Sequence, residues 1–438
     1  MRSQGRSTAG GWWRRVDTLL TPPLVRLLTA KPDVDGRLLL LAGVMSYLAA
    51  VTVARLLWTV NLWPWLGVPP GPSLFFDTRN ITAALECRRL GYDPLVDNPC
   101  DPWGRPMFYP RGWLLLRWLG LDQSDTTALG VLIVVLFLAS VCLLVGRISA
   151  GEGIVVAVAV CSPAVMLALE RGNMDVVLFS VLVLAVLLWR RGTELSRTLS
   201  PFLVLVAATG KLYPVFGLPA YVLLRHRRAA LAGAACGLLF LAYVAVTLDD
   251  VRTVATTATQ GQYYSYGARI LIGQAYHLVA GQDWQGASMA AQAIAAIPLL
   301  LLVVFLWIWL RRRLGAGSWE ASQAPTAELL AFYLGTLLYV GTFAVFKNYD
   351  YRLVYLLLTL PQLMQWVRQG RPGDPRRSLA GLGLAAVVLG LWIGTLSQQL
   401  NLVDELVSWA VAGLLAALSA ASVPRLSTLL TPARSGSR

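Results

Sequence analysis

The 438-residue sequence predicts an all-α polytopic membrane protein, a bundle of about 10–12 transmembrane helices with a long first extracytoplasmic loop. Three observations predict it. The chain is 56% hydrophobic and 14% charged with a mean hydropathy of +0.60, too apolar for a soluble domain of this length. Its apolar residues fall in repeated runs of roughly 17–22, enough as helix to cross a hydrocarbon core of about 30 Å. The runs lack the alternation of a barrel strand, and a backbone in lipid must satisfy its own hydrogen bonds, which leaves bundled helices.

Along the chain, residues 1–37 read as a basic cytoplasmic arm. They lack the short apolar core and small-residue cleavage site of a secretory signal, and Trp12, Trp13, Val16, Leu19 and Leu20 suit the inner membrane interface. Residues 38–421 form one transmembrane domain and 422–438 a cytoplasmic tail. Within the domain, spans are predicted over 38–60, 126–146, 154–170, 174–189, 229–247, 288–310, 326–346, 351–367, 379–397 and 404–421. Residues 61–125 and 248–287 are the first and second extracytoplasmic loops. The segments 198–209 and 212–224 differ: each is about 18–20 Å long as helix, short of the membrane core, and arginines flank both on the inner side (Arg197; Arg225, Arg227, Arg228). They read as a broken or re-entrant pair that sets Gly210-Lys211 in the outer half of the membrane, with Pro214 supporting the break.

The net charge of +14 raises the question of a polyanionic partner, and its placement answers it. With the N-terminus inside, the inner segments hold 24 Lys and Arg against 8 Asp and Glu, and the outer ones 13 against 15. This is the positive-inside bias and not a nucleic-acid surface. The same topology puts the unusual polar stretches on one face, outside: the loops 61–125 and 248–287 and the turns around 170–175, Lys211 and 347–352.

Basic residues in those stretches suggest an anion site. The chain has 34 Arg and three Lys, and two of the lysines are external: Lys211 in "TGKLYP" and Lys347 in "FKNYDYR", beside Arg171 and Arg352. Against apolar walls a cation needs an anionic partner or water; a snorkelling lysine at a helix end is the alternative. Glu170, Arg171, Asn173 and Asp175 crowd the turn "ERGNMD", either to offer Arg171 to phosphate with Glu170 or Asp175 orienting it, or as a structural ion-pair cluster.

The first outer loop supplies carboxylates. A helix is predicted from about Thr78 to Leu90, ended by Gly91, with Asp77 at its start behind Phe75 and Phe76. Asp77 is either the N-cap or a general base at the mouth of a cavity. Asp93 and Asp97 stand near prolines and read as turn residues. Cys87 and Cys100 share this loop; in an oxidising exterior their bridge would contribute roughly 3 kcal/mol, and two free thiols is the alternative. Cys142, Cys161 and Cys236 fall in predicted spans as small apolar fillers.

Weaker signals are set aside. Two histidines, His226 and His277, cannot build a histidine metal cluster. Asp33-Val34-Asp35 lacks the nucleotide-binding domain that its spacing would need, and Asp249-Asp250 reads as a solvated helix end. Asn80-Ile81-Thr82 matches a glycosylation acceptor. Tyr263 and Tyr264 in "QGQYYSYGARILIGQ" suit sugar stacking, or an interfacial aromatic belt.

Taken in order and sidedness, an external Asp after the first span, Tyr109-Pro110, "ERGN", "GKLYP" and "KNYDYR" resemble the polyprenyl-phosphate-dependent glycosyltransferases of the GT-C superfamily, nearest glycosyltransferase family 87. The resemblance covers roughly residues 40–370. It implies a GT-C-like bundle, a catalytic Asp carried over to Asp77, and lipid-phosphate binding at Arg171, Lys211, Lys347 and Arg352. Glu170, Asn173, Asp175, Tyr109, Tyr213, Asp350, Tyr263 and Tyr264 are the expected supporting or substrate residues. The sequence departs from the family's frequent "YPP" at Tyr109-Pro110-Arg111, and "CDPWGRP" is an elaboration without an assigned role. The implied activity is transfer of a sugar, expected to be mannose, from a polyprenyl-phosphate donor to an envelope lipid or glycan, at the extracytoplasmic face and with inversion. No cofactor and no metal is expected, since the lipid tail anchors the donor. The competing reading is a flippase of lipid-linked sugars; the lack of an inverted internal repeat and a long acidic, aromatic loop on one face only count against it.

Overall fold

The computed structural model describes residues 7–31, 33–257, 264–268, 270–271, 297, 301, 304–305, 308, 325–345, 348–372, 374–394 and 397–422. Lys347, Tyr263, His277 and almost all of the predicted span 288–310 lie outside them.

The described residues are helical almost throughout. In chain order the helices are α1 (Ser7–Leu28), α2 (Gly36–Trp58), α3 (Phe76–Arg89), α4 (Thr126–Val145), α5 (Ala150–Val160), α6 (Pro163–Arg171), α7 (Met174–Arg190), α8 (Glu194–Gly210), α9 (Ala220–Leu223), α10 (Arg227–Val246), α11 (Leu248–Thr257), α12 (Ala327–Val345), α13 (Leu360–Gln369), α14 (Pro375–Ile393) and α15 (Ser397–Ser422). Among the described residues six segments are long and apolar enough to cross a membrane: α2, 123–145, α10, α12, α14 and 402–422. The α5–α6 pair adds a seventh if its two bent halves count as one. The molecule is therefore an all-α polytopic membrane protein.

Local chemistry explains where the helices break. The run read as one span over 154–170 is two helices bent by 60°. Cys161 ends α5, Ser162 Oγ accepts Val165 N at the start of α6, and Pro163 takes the first helical position, where its missing N–H costs nothing. Cys161 thus lies at a joint and not inside a continuous span. The predicted span 351–367 is also composite: a 3-10 helix over Asp350–Thr359 leads into α13. α8 runs unbroken from Thr193, whose Oγ1 accepts Ser196 N, to Gly210, so the expected break falls at Lys211, which is extended (φ −153°, ψ 141°). A short 3-10 turn, Tyr213–Gly217, and α9 follow.

α7 is the axis of the packing. It is buried along nearly its whole length and touches α4, α8 and α12, whereas α2 and α10 keep most of their apolar surface outward. The N-terminal segment docks onto the bundle as α1, packed on α5, α13 and α14. Leu28 and Thr21 are fully buried, Ser149 Oγ donates to Leu28 O at 2.5 Å, and Arg377 lies 4.0 Å from Asp17.

In the segment between α2 and α4, Cys87 and Cys100 are joined in a disulfide with their Cα atoms 5.6 Å apart. A 3-10 helix over Arg111–Leu119 turns Trp113 inward, its Nε1 donating to Gly210 O at 2.9 Å, and leaves Leu115, Trp118 and Leu119 outward. Strands β1 (Ser265–Tyr266) and β2 (Asn348–Tyr349) form a two-residue antiparallel ladder, Ser265 opposite Tyr349 and Tyr266 opposite Asn348.

Candidate active site

The site is built around the joint between α6 and α7. Gly172 ends α6 in the left-handed region (φ +56°), and a Cβ there would stand 2.3 Å from Thr78 Oγ1. Only glycine fits both demands. Thr78 Oγ1 donates to Gly172 O at 2.7 Å, which ties α3 to the joint. Asn173 then caps α7, its Oδ1 accepting Asp175 N at 2.9 Å.

The Asn173 side chain has a second use. Its Nδ2 donates to Asp77 Oδ2 at 2.5 Å, and its Oδ1 also accepts Lys211 Nζ at 2.9 Å. These partners fix the amide orientation, because the carboxylate can only accept and the ammonium and the backbone N–H can only donate. One short side chain thereby connects a carboxylate from α3 with a cation at the break after α8.

Asp77 is not an N-cap. Phe75 holds that position in the left-handed region (φ +57°) without a side-chain cap, and Asp77 sits inside the first turn of α3 with 4% of its surface exposed. Burial pushes its carboxyl up from the ordinary 3.8; Arg171, the Asn173 hydrogen bond, Lys211 and Arg105 oppose the shift, in that order. The carboxylate is thus a stronger base than a solvated aspartate, with cations on several sides.

Asp175 organises the second half of the site. It is fully buried and accepts from Lys211 Nζ at 2.8 Å, from Tyr213 OH, and from Tyr355 OH at 3.4 Å, with Arg352 Nε 3.8 Å away. Arg352 also stacks 4.6 Å over the Tyr213 ring and donates Nη1 to Asn348 Oδ1. Lys211 Nζ stands 5.2 Å over the Tyr109 ring and 5.5 Å from that of Tyr351. Tyr109 is buried and its hydroxyl has no hydrogen-bond partner among the described residues, while burial holds its phenol well above the usual range, so it is a protonated donor.

The structure thus brings together Asp77, Asn173, Lys211, Asp175, Tyr213, Arg352 and Tyr109. Arg171 is near enough to act on Asp77, but neither Glu170 nor Asp175 orients it: no ion pair joins it to either among the described residues. Glu170 serves the loop between α2 and α3 instead, Oε1 accepting Gly71 N at 3.0 Å and its backbone carbonyl accepting Phe75 N at 2.9 Å. Asp350 points away from the cluster, its carboxylate against Gly394, and Tyr264 meets it through the backbone, Asp350 N donating to Tyr264 O at 2.9 Å. Lys347 and Tyr263 lie outside the described residues. Asn80 cannot be a glycosylation acceptor in this fold: it is fully buried, with Nδ2 on Asp101 Oδ2 at 3.4 Å and Pro106 O at 3.3 Å. Asp250 is no solvated helix end but an ion-pair partner of Arg111, at 2.8 Å, and the same guanidinium holds Asp93 at 2.8 Å.

Sequence reading missed Tyr351, Tyr355 and Arg105. In the 3-10 helix over Asp350–Thr359 residues three apart share a face, which sets Tyr355 beside Arg352.

Comparison with known proteins identifies the family. Residues 107–338, more than half of the chain, match the sequence profile of Glycosyltransferase family 87. The chain belongs to glycosyltransferase family 87. This is a family of the GT-C type, and a family 87 chain with six or seven membrane-length helices is a membrane glycosyltransferase. The family 87 match includes Tyr109, Arg171, Asn173, Asp175, Lys211 and Tyr213, whereas Asp77 and Arg352 lie outside it. No curated protein and no solved structure matches the chain.

Proposed function

We propose that this protein transfers a single sugar, mannose, from a polyprenyl-phosphate donor to a hydroxyl of an envelope lipid or glycan at the extracytoplasmic face, with Asp77 as general base. The observation that carries the reading is the Asn173 bridge, which holds a buried carboxylate and a lysine on the two ends of one amide. Transfer from a lipid phosphate needs those two groups: a base for the attacking hydroxyl and positive charge for the departing phosphate.

In the proposed step the acceptor oxygen attacks the anomeric carbon, its proton passes to the Asp77 carboxylate, and the bond from the anomeric carbon to the phosphate oxygen breaks with its electron pair. Lys211, Arg352 and Arg171 face the charge that develops; the planar guanidinium suits two phosphate oxygens and the ammonium one. Asp175 holds Lys211 and Arg352 in place and spreads its own charge over two tyrosine hydroxyls. Direct displacement inverts the anomeric centre. The phosphate is already the leaving group, so the chain's own residues suffice without a cofactor or metal.

The test is a donor panel on the purified full-length protein in liposomes. Polyprenyl-phosphate mannose should give product of the opposite anomeric configuration, and nucleotide-activated mannose none. Turnover with the nucleotide donor alone, or retention of configuration, would overturn the proposal.

A further inference from the structure

The segment "CDPWGRP", residues 100–106, has no part in the step above, yet it is one of the most tightly tied pieces of the outer loop. Cys100 is anchored by its disulfide to Cys87 on α3. Asp101, with 3% of its surface exposed, accepts Trp103 N at 3.0 Å and grips the Arg105 guanidinium through Nε at 3.1 Å and Nη2 at 2.8 Å. Asn98 Nδ2 closes the turn on Arg105 O at 3.0 Å. The guanidinium lies 3.5 Å over the Phe76 ring, 5.2 Å from Trp103 and 5.8 Å from Phe108, and donates Nη2 to Phe76 O at 3.1 Å. Its Nη1 is buried with no hydrogen-bond partner among the described residues, as suits a cation in an aromatic cage.

Phe76 is the residue before Asp77. The start of α3 therefore has three tethers: Phe75 N on Glu170 O, Thr78 Oγ1 on Gly172 O, and Phe76 O under Arg105. Two of them reach the α6–α7 joint, and the third reaches the turn 101–105. We infer that Arg105 is a positioning residue: clamped by Asp101 and seated on Phe76, it fixes the backbone from which Asp77 projects and gives that carboxylate a fixed positive neighbour. The inference rests on the reading of Asp77 as the base. It explains why a strained, left-handed Phe75 is tolerated, since the surrounding ties over-determine the turn. Among the described residues, the other charged or titratable groups facing Asp77 are Glu170 and Arg171 of α6, Lys211, and, from the tyrosines, Tyr109 and Tyr351; Asp175 of α7 stands behind Lys211. Of the cations in this set, Arg105 is the one that no substrate phosphate is asked to engage.

Arg105→Gln and Arg105→Lys proteins in liposomes test this. For each, kcat, KM and the pH dependence of transfer from polyprenyl-phosphate mannose are measured, together with an infrared titration of the carboxyl band that Asp77→Asn removes. Arg105→Gln should lower kcat roughly tenfold or more with little change in donor KM, because a small displacement of a reacting group is costly. It should also raise the infrared midpoint and the acid limb of kcat/KM together. Arg105→Lys keeps the charge but not the fork, so it should restore the midpoint and not kcat. Unmoved midpoints in an Arg105→Gln protein with its thermal transition intact would overturn the inference. If that variant does not fold, wild-type kcat in Arg105→Lys would overturn it. An infrared midpoint that moves while the acid limb stays would leave Arg105 as the positioner of Asp77 and refute Asp77 as base.

Discussion

Asn173 shows how one residue serves fold and chemistry together. As the cap of α7 it satisfies the Asp175 amide, and with the rest of its amide it sets Asp77 and Lys211 at a fixed spacing. Burial raises the Asp77 carboxyl above 3.8, so transfer should fall with decreasing pH around a midpoint above that value, as the base takes up its proton. A pH–rate profile checks it, and the acid limb should vanish in Asp77→Asn. Lys211 and Asp175 form a nearly dry ion pair, with 11% and 0% of their side chains exposed. Lys211→Met leaves Asp175 with two tyrosine hydroxyls and Arg352 at 3.8 Å, so it should cost about 1–3 kcal/mol of stability. The double variant Lys211→Met, Asp175→Asn should recover part of that loss in a thermal melt of the detergent-solubilised protein.

The helix joints place these residues. Gly172 is required twice over, by its left-handed φ and by Thr78 Oγ1. Gly172→Ala should therefore cost about 1–2 kcal/mol for the backbone alone. Because Thr78 must move, and α3 with it, activity should fall further than the melting temperature suggests; parallel melts and turnover assays would show it. The joint at 170–175 and the break at Lys211 were legible in the sequence, since four polar residues between apolar runs and two arginine-flanked half-spans have few other uses in a membrane. The 60° bend at Cys161-Ser162-Pro163 was not, because the apolar run continues across it and only the cap and the proline mark it. The 3-10 helix over 350–359 was hidden for the same reason. The role of Arg105 was hidden more deeply, since its partners Phe76 and Asp101 make sense only once the disulfide and the turn have folded.

For the whole molecule, composition and run length were enough to give an all-α membrane bundle, and the order of the motifs gave family 87. Packing was less legible: the docking of α1 could not be read from the sequence, because Arg377 and Ser149, its partners, stand far away in it. The charge asymmetry predicts the site on the outer face. After mild reduction of intact cells, a membrane-impermeant maleimide should label the partly exposed Cys100. Labelling only after permeabilisation would reverse the topology. The central claim is that the buried Asp77 carboxylate drives transfer from a lipid phosphate. The most direct measurement is single-turnover transfer of radiolabelled mannose from polyprenyl-phosphate mannose by wild-type and Asp77→Asn protein, with donor binding measured in parallel. The account predicts donor binding by both and a loss of about 10²–10⁴-fold in rate for Asp77→Asn. Equal rates for the two proteins would contradict it.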